Sequence, residues 1–287
     1  MDQEKHSVKN EIRNSAGPKV SSHPQGVSMA KAPSILSRLL PPSLKFWIKE
    51  NVAGLLSLPY NRFNVPIAIT KAIPKTRKIT VIDVGAWTGT FTLSIDQYCG
   101  VEKALLIEPQ PRRIQEMKAT LTGPRFLFAC AAASSGEHQT EMEILNCDYS
   151  SSILPVRRDL PTLSTAIDIG VRERIQVETS TLDQLCELHH FDGFVDLLKI
   201  DVQGAENLVL AGASETLLRT GLIWIELSLQ PLYEGSVTIE GMIALCREHG
   251  FILRSLENSF WASDGELLQV DALFSSRAST SRTESES

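Results

Sequence analysis

Thr80-Val-Ile-Asp-Val-Gly-Ala-Trp-Thr-Gly89 carries an apolar, β-branched run into an acid and then turns through two glycines four residues apart. Residues 81–84 have the composition of a strand buried on both faces, Asp83 excepted. Gly85 and Gly89 open positive φ and remove Cβ bulk where a ligand must lie against main chain. Phe91, Leu93 and Ile95 follow, and their position favours the crossover helix of a βαβ unit. A second run, Lys103-Ala-Leu-Leu-Ile107, closes on Glu108, nineteen residues after Gly89, and Pro109 ends the strand. In open parallel sheets ligands sit at the carboxyl ends of the strands, against helix N-termini. The stretch predicts a nucleotide-type cofactor site, with Glu108 placed to accept hydrogen bonds from a ribose diol.

Loop chemistry narrows the cofactor. A dinucleotide site uses Gly-x-Gly-x-x-Gly so that a pyrophosphate can approach the backbone. Here the third loop position is Trp87, whose indole would crowd it, and Glu108 suits a neutral diol better than a 2′-phosphate. S-adenosylmethionine carries no phosphate and fits the Gly-x-x-x-Gly spacing. Two rivals are a nicotinamide-dependent oxidoreductase and a non-catalytic binding protein on the same scaffold. None of Tyr60, Tyr98, Tyr149 and Tyr233 has the Lys four residues later that the first would use, and the loop glycines and strand-end acids that the second would lose are present.

The 287 residues, 43% hydrophobic, suit one large α/β domain with appendages. A net charge of −6 argues against a general nucleic-acid binder. The five cysteines are odd in number and never Cys-x-x-Cys; four lie in or beside apolar runs, which predicts buried thiols in a reducing, cytoplasmic compartment. The histidines have no metal spacing, and no metal site is expected. Residues 1–33 read as a disordered polar tail and 275–287 as another. Residues 34–77 read as a helical extension packed on the domain or over the substrate pocket, the alternative being a short membrane-surface helix disfavoured by its few basic residues; no stable membrane insertion is expected.

The segment 78–274 alternates as a doubly wound fold should. Strand-like runs lie at 79–84, 103–108, 125–131, 195–201 and 222–228, and helix-like runs at 89–98, 110–121, 204–219 and 237–249. Residues 251–256 and 266–274, joined through Ser263-Asp-Gly265, read as a closing antiparallel hairpin. Runs at 139–145 and 174–179 are expected to extend the sheet or form a flap. In Val195-Asp-Leu-Leu-Lys-Ile-Asp-Val-Gln-Gly-Ala-Glu206, alternation puts Lys199 and Asp201 on one side of a strand. Asp201 should then stand beside Asp83 at the cofactor's methionine end. Glu206 opens the next helix, where an acid also complements the dipole.

Asp83-Val-Gly-Ala-Trp-Thr-Gly89, Ile107-Glu-Pro109, Thr181-Leu-Asp183, Leu198-Lys-Ile-Asp-Val-Gln-Gly-Ala-Glu206, and Ile223-Trp-Ile-Glu226 followed by Pro231-Leu-Tyr-Glu-Gly235 together resemble the FkbM family of S-adenosylmethionine-dependent methyltransferases. The resemblance implies a seven-stranded class I (Rossmann-like) sheet and O-methylation of hydroxyls on sugar or natural-product-like small molecules. One departure is Gln203, where the family usually carries Glu. The cofactor is expected to be held by Asp83, Gly85, Ala86, Trp87, Gly89, Glu108, Pro109, Ala131 and Asp201. Asp201 is the best-placed general base, with Lys199, Glu206 and Glu226 the next candidates, and Tyr149, Tyr233 and Ser150-Ser-Ser152 are candidate pocket walls.

Overall fold

The computed structural model describes residues 64–277, apart from 161, 162, 164 and 165. The tail expected at 1–33, residues 34–63 of the extension and the tail after 277 lie outside the described residues.

Alternating burial builds the main sheet. β1 (Ile79–Val84), β2 (Val101–Ile107), β3 (Phe126–Ala129), β7 (Val195–Ile200) and β8 (Thr220–Ser228) run parallel; β10 (Leu267–Ser276) enters antiparallel beside β8, and β9 (Phe251–Trp261) pairs antiparallel with β10. The strand order is β3-β2-β1-β7-β8-β10-β9. Ile82, Val84, Leu198 and Ile200 pack into one core layer, Val81, Leu106 and Leu197 into the other. Burying both faces is what a parallel sheet with helices on either side demands.

The crossovers are α2 (Thr90–Tyr98), α3 (Pro111–Thr120), α4 (Leu182–Leu188), a pair α5 (Glu206–Ala211) and α6 (Ser214–Leu218), and α7 (Ile239–Glu248). A short helix α1 (Ile67–Ala72) precedes β1. It buries Ile69 in the second core layer, and the Tyr98 hydroxyl bonds its end through Thr70 O and Ile73 O at 3.1 and 3.2 Å. The folded unit therefore reaches back before residue 78.

Four expectations need correction. The helix expected over 204–219 is two helices, because the chain passes Gly212 so close to Ser134 that a Cβ would lie 2.2 Å from its carbonyl oxygen. The Asp183 carboxylate then captures the N–H groups of Glu215 and Thr216 and starts α6. The third strand ends at Ala129, so Ala131 lies in the turn that leads to β4 (Ala132–Ala133). Of the two readings of the runs near 139 and 174, extension of the main sheet is the one that fails: β5 (His138–Leu145) and β6 (Val171–Ser180) form a separate sheet ordered β4-β6-β5. Finally, β10 continues through Ser276, into the segment read as tail, where Ser275 is tied to Arg254 Nε at 2.6 Å.

The thiols also differ from expectation. Cys186 and Cys246 are buried, Cys99 and Cys147 are half-buried and Cys130 is exposed. Cys130 escapes because it sits past the end of β3, where the apolar run no longer faces either core layer.

Candidate active site

The site lies on the carboxyl edge of the sheet, where β1, β2, β7 and β8 end. Register does the assembly. Asp83 pairs directly with Lys199 across β1 and β7, and Asp271 with Glu226 across β10 and β8. Asp83, Lys199 and Asp201 share one parity, so their side chains leave the same face of the sheet.

Asp83 is completely buried. Its Oδ2 accepts the Thr92 hydroxyl at 2.8 Å, and its Oδ1 lies 3.2 Å from Lys199 Nζ. Lys199 Nζ also stands 3.5 Å from Asp201 Oδ2 and donates to Gly85 O at 2.6 Å. Burial alone would favour the neutral amine, but Asp83 and Asp201 outweigh it and hold the ammonium charged far above neutral pH. Lys199 thus has no lone pair to take a proton. That geometry makes Lys199 the cation that keeps two carboxylates together.

The loop after β1 follows from its glycines. Gly85, Trp87 and Gly89 all have positive φ. A Cβ on Gly85 would fall 1.9 Å from Asp201 O, so only glycine lets the turns after β1 and β7 touch. Gly85 and Ala86 N–H donate to Ile107 O, at 3.0 and 3.1 Å. Glu108 clamps the loop from β2: its Oε2 accepts Trp87 N–H at 2.9 Å and its Oε1 accepts Gln110 N–H at 3.0 Å. Burial pushes this carboxyl up to about 7 despite those two donors. Each oxygen keeps a second lone pair for a further donor. The Trp87 ring lies edge-on to Tyr149 at 6.3 Å, with the Arg113 guanidinium 5.0 Å over it. Arg113 in turn pairs with Asp148, beside Tyr149. Pro109 and Ala131 follow β2 and β3 on the same edge.

After β7, the chain turns through Gln203 and Gly204, both at positive φ. Glu206 reaches back from α5, and its Oε1 accepts both Val202 N–H and Gly204 N–H at 3.1 Å. Its carboxyl is driven up to about 7, chiefly by burial. Glu206 therefore caps this turn and its reactive group is turned inward.

The remaining acids form a network. Gln203 Nε2 donates to Asp201 Oδ1 at 2.8 Å and to Glu226 Oε2 at 2.9 Å. Glu226 Oε2 also accepts Gln269 Nε2 at 2.6 Å. Burial first, then the facing carboxylates Asp201, Asp271 and Glu206, push the Glu226 carboxyl well above the ordinary range. The Tyr233 hydroxyl lies 2.7 Å from Ser150 O and 3.0 Å from Gln203 Oε1. Tyr233 and Ser150, Ser151 and Ser152 are buried, whereas Tyr149 is exposed. Thr92, Gln203, Gln269 and the inward role of Tyr233 were not assigned from sequence. Thr181-Leu-Asp183 is structural: Thr181 forms a capping box with Gln184, and Asp183 caps α6.

Sheet order and strand-end site together define a class I, Rossmann-like methyltransferase. Residues 83–253 match the methyltransferase FkbM domain, and the chain belongs to that family. It is 44% identical over 211 residues to the 2-O-methyltransferase NoeI of Sinorhizobium fredii (strain NBRC 101917 / NGR234), covering 71% of this chain and 84% of that protein. Among solved structures, methyltransferase FkbM from Methylobacillus flagellatus KT is 12% identical, with a TM-score of 0.40, over 68% of this chain and 43% of that one. A TehB-like SAM-dependent methyltransferase from Corynebacterium glutamicum ATCC 13032 is 12% identical, with a TM-score of 0.43, over 82% and 96%. The enzyme's cofactor is S-adenosylmethionine. The residues fit it: the glycine turn brings the ends of β1 and β7 into contact, the buried Asp83 stands behind it, and Glu108 has acceptor capacity to spare.

Among the described residues, no cluster of three or more His, Cys, Asp or Glu is arranged to hold a metal, and no helix is long and apolar enough to cross a membrane.

Proposed function

We propose that the enzyme methylates a hydroxyl group of a sugar-like small molecule. The observation that carries this reading is an acid pair, Asp201 and Glu226, standing on the open edge of the sheet beside the glycine loop, in a chain 44% identical to a 2-O-methyltransferase. A bound S-adenosylmethionine supplies an electrophilic methyl group on a sulfonium.

The chain's own residues supply the rest. Gly85, Ala86, Gly89 and Glu108 would hold the cofactor, and Asp83 is paired with Lys199 beneath the loop. Asp201, partly open to solvent, takes the acceptor hydroxyl's proton at its carboxylate. Glu226, sunk deeper and held toward its protonated form, steadies Asp201 through the amide they share. Most of the acceleration comes from alignment, which contributes up to roughly 7–11 kcal/mol in well-oriented reactions; a base adds about 10²–10⁴-fold. The acidic net charge supports a small acceptor over a nucleic acid. The free cysteines, Cys130 exposed among them, support a cytoplasmic location.

The test is methyl transfer from isotopically labelled S-adenosylmethionine to a panel of glycosides, followed by mass spectrometry. We expect one methyl ether per acceptor, lost when the 2-hydroxyl is replaced by hydrogen. Transfer only to amines or carboxylates, or to no glycoside, contradicts the reading.

A further inference from the structure

Gln203 occupies a backbone conformation that long side chains avoid, with φ at +57°. Its neighbour Gly204 continues the left-handed turn at +96°, under the Tyr233 ring, where a Cβ would lie 2.7 Å from a ring carbon. Strain of this kind persists only where surrounding structure over-determines it. What over-determines it here is the carboxamide. Its Nε2 faces two carboxylate oxygens and its Oε1 faces a phenol, so all the neighbours call for the same orientation.

We propose that Gln203 is the positioning residue of the proton-accepting site, a single amide that cross-links Asp201 to Glu226 and sets how the pair shares its charge. The proposal rests on the function proposed above and deepens it. Two carboxylates a short distance apart in a half-buried site repel, and one must take a proton unless donors stand between them. The groups facing Glu226 are Asp201 and Lys199 from β7, Asp271 from β10, Glu206 from α5 and Tyr233 from the loop before α7. Only Lys199 among them is cationic, and it is shared between Asp83 and Asp201. Gln269 also donates to Glu226, and Lys199 also faces Asp201, but Gln203 is the donor that both acids share, one amide hydrogen to each. It engages Asp201 at Oδ1, which leaves Oδ2, 3.5 Å from Lys199 Nζ, as the oxygen to meet the acceptor. A glutamate at 203 would instead add a third carboxylate at this point.

Gln203→Asn tests the idea without disturbing the turn. Asn tolerates positive φ better than Gln, but its shorter arm cannot span both acids. We expect the melting temperature and S-adenosylhomocysteine affinity, read by calorimetry, to stay near wild type. Turnover should fall at least about tenfold, the scale set by losing a hydrogen bond to a charged group. The acidic limb of kcat/KM should move to higher pH, because removing donors disfavours the ionised carboxylate. Gln203→Glu should move that limb further still. An unmoved acidic limb in both variants overturns the proposal. Should the wild-type chain methylate no glycoside, the functional reading fails by itself. Carbon-13 NMR titration of Asp201 and Glu226 then decides the role of Gln203: apparent pKa values raised in Gln203→Asn support it, and unchanged values overturn it.

Discussion

Two turns leave the carboxyl edge of the sheet, residues 85–89 after β1 and 201–205 after β7, and each is pinned by a buried glutamate that accepts two backbone N–H groups. The materials differ. The first turn puts two glycines and Trp87 at left-handed positions, with Gly85 packed directly on the Asp201 main chain, and its glutamate arrives from the neighbouring strand. The second puts a glutamine and a glycine at such positions, leaves the Asp201 carboxylate partly exposed, and takes its glutamate from the first residue of the following helix. A main-chain surface suits a ligand that every turnover shares. A side-chain surface suits proton transfer, where chemistry matters more than shape.

The largest effect should come from welding the two turns wrongly. Gly85→Ala puts a methyl into the Asp201 carbonyl at a positive-φ position. We expect a loss of more than about 4 kcal/mol in stability, together with loss of cofactor binding, measured by denaturant melts and calorimetry. Next is Lys199→Met, which strands the fully buried Asp83. Breaking one side of a buried pair costs about 3–5 kcal/mol. Combining it with Asp83→Asn should recover part of that loss; no recovery would show that Lys199 acts elsewhere.

The two glutamates separate the turns further. The N–H donors to Glu108 go to different oxygens, so Glu108→Gln must leave one facing an amide NH₂ and should cost about 1–3 kcal/mol. Both donors to Glu206 go to a single oxygen, which the carbonyl of Gln can replace, and Glu206→Gln should be tolerated. Both carboxyls sit near 7 in the fold, above their ordinary 4.5. Groups raised in this way contribute stability that is complete below the unfolded pKa and is lost as pH rises through the folded one. Melting temperature should therefore decline between pH 4.5 and 7. Glu206→Gln should flatten the decline; an unchanged slope would remove Glu206 from the titrating groups.

The contrast between the turns also explains what the sequence could show. The first turn was legible because its signals are local: apolar β-branched residues, glycines at fixed spacing, an acid closing the next run. Strand alternation correctly put Lys199 beside Asp201. It could not show that Lys199 is consumed by Asp83, since that depends on the register between β1 and β7. Gln203 was visible only as a departure from the family pattern. Its function needs Glu226 from β8, Gln269 from β10 and Tyr233 from a loop, all brought in by folding. The break at Gly212 was hidden for the same reason: its cause is Ser134, far away in the chain.

Asp201→Asn is the most direct test, because it asks whether the second turn serves the acceptor or the cofactor. Calorimetric titration with S-adenosylhomocysteine and turnover on an acceptor glycoside with its hydroxyl free would be measured side by side. The account predicts affinity within a few-fold of wild type and turnover lower by about 10²–10⁴-fold. Lost affinity with turnover restored at saturating cofactor would contradict it and make Asp201 a cofactor ligand alone.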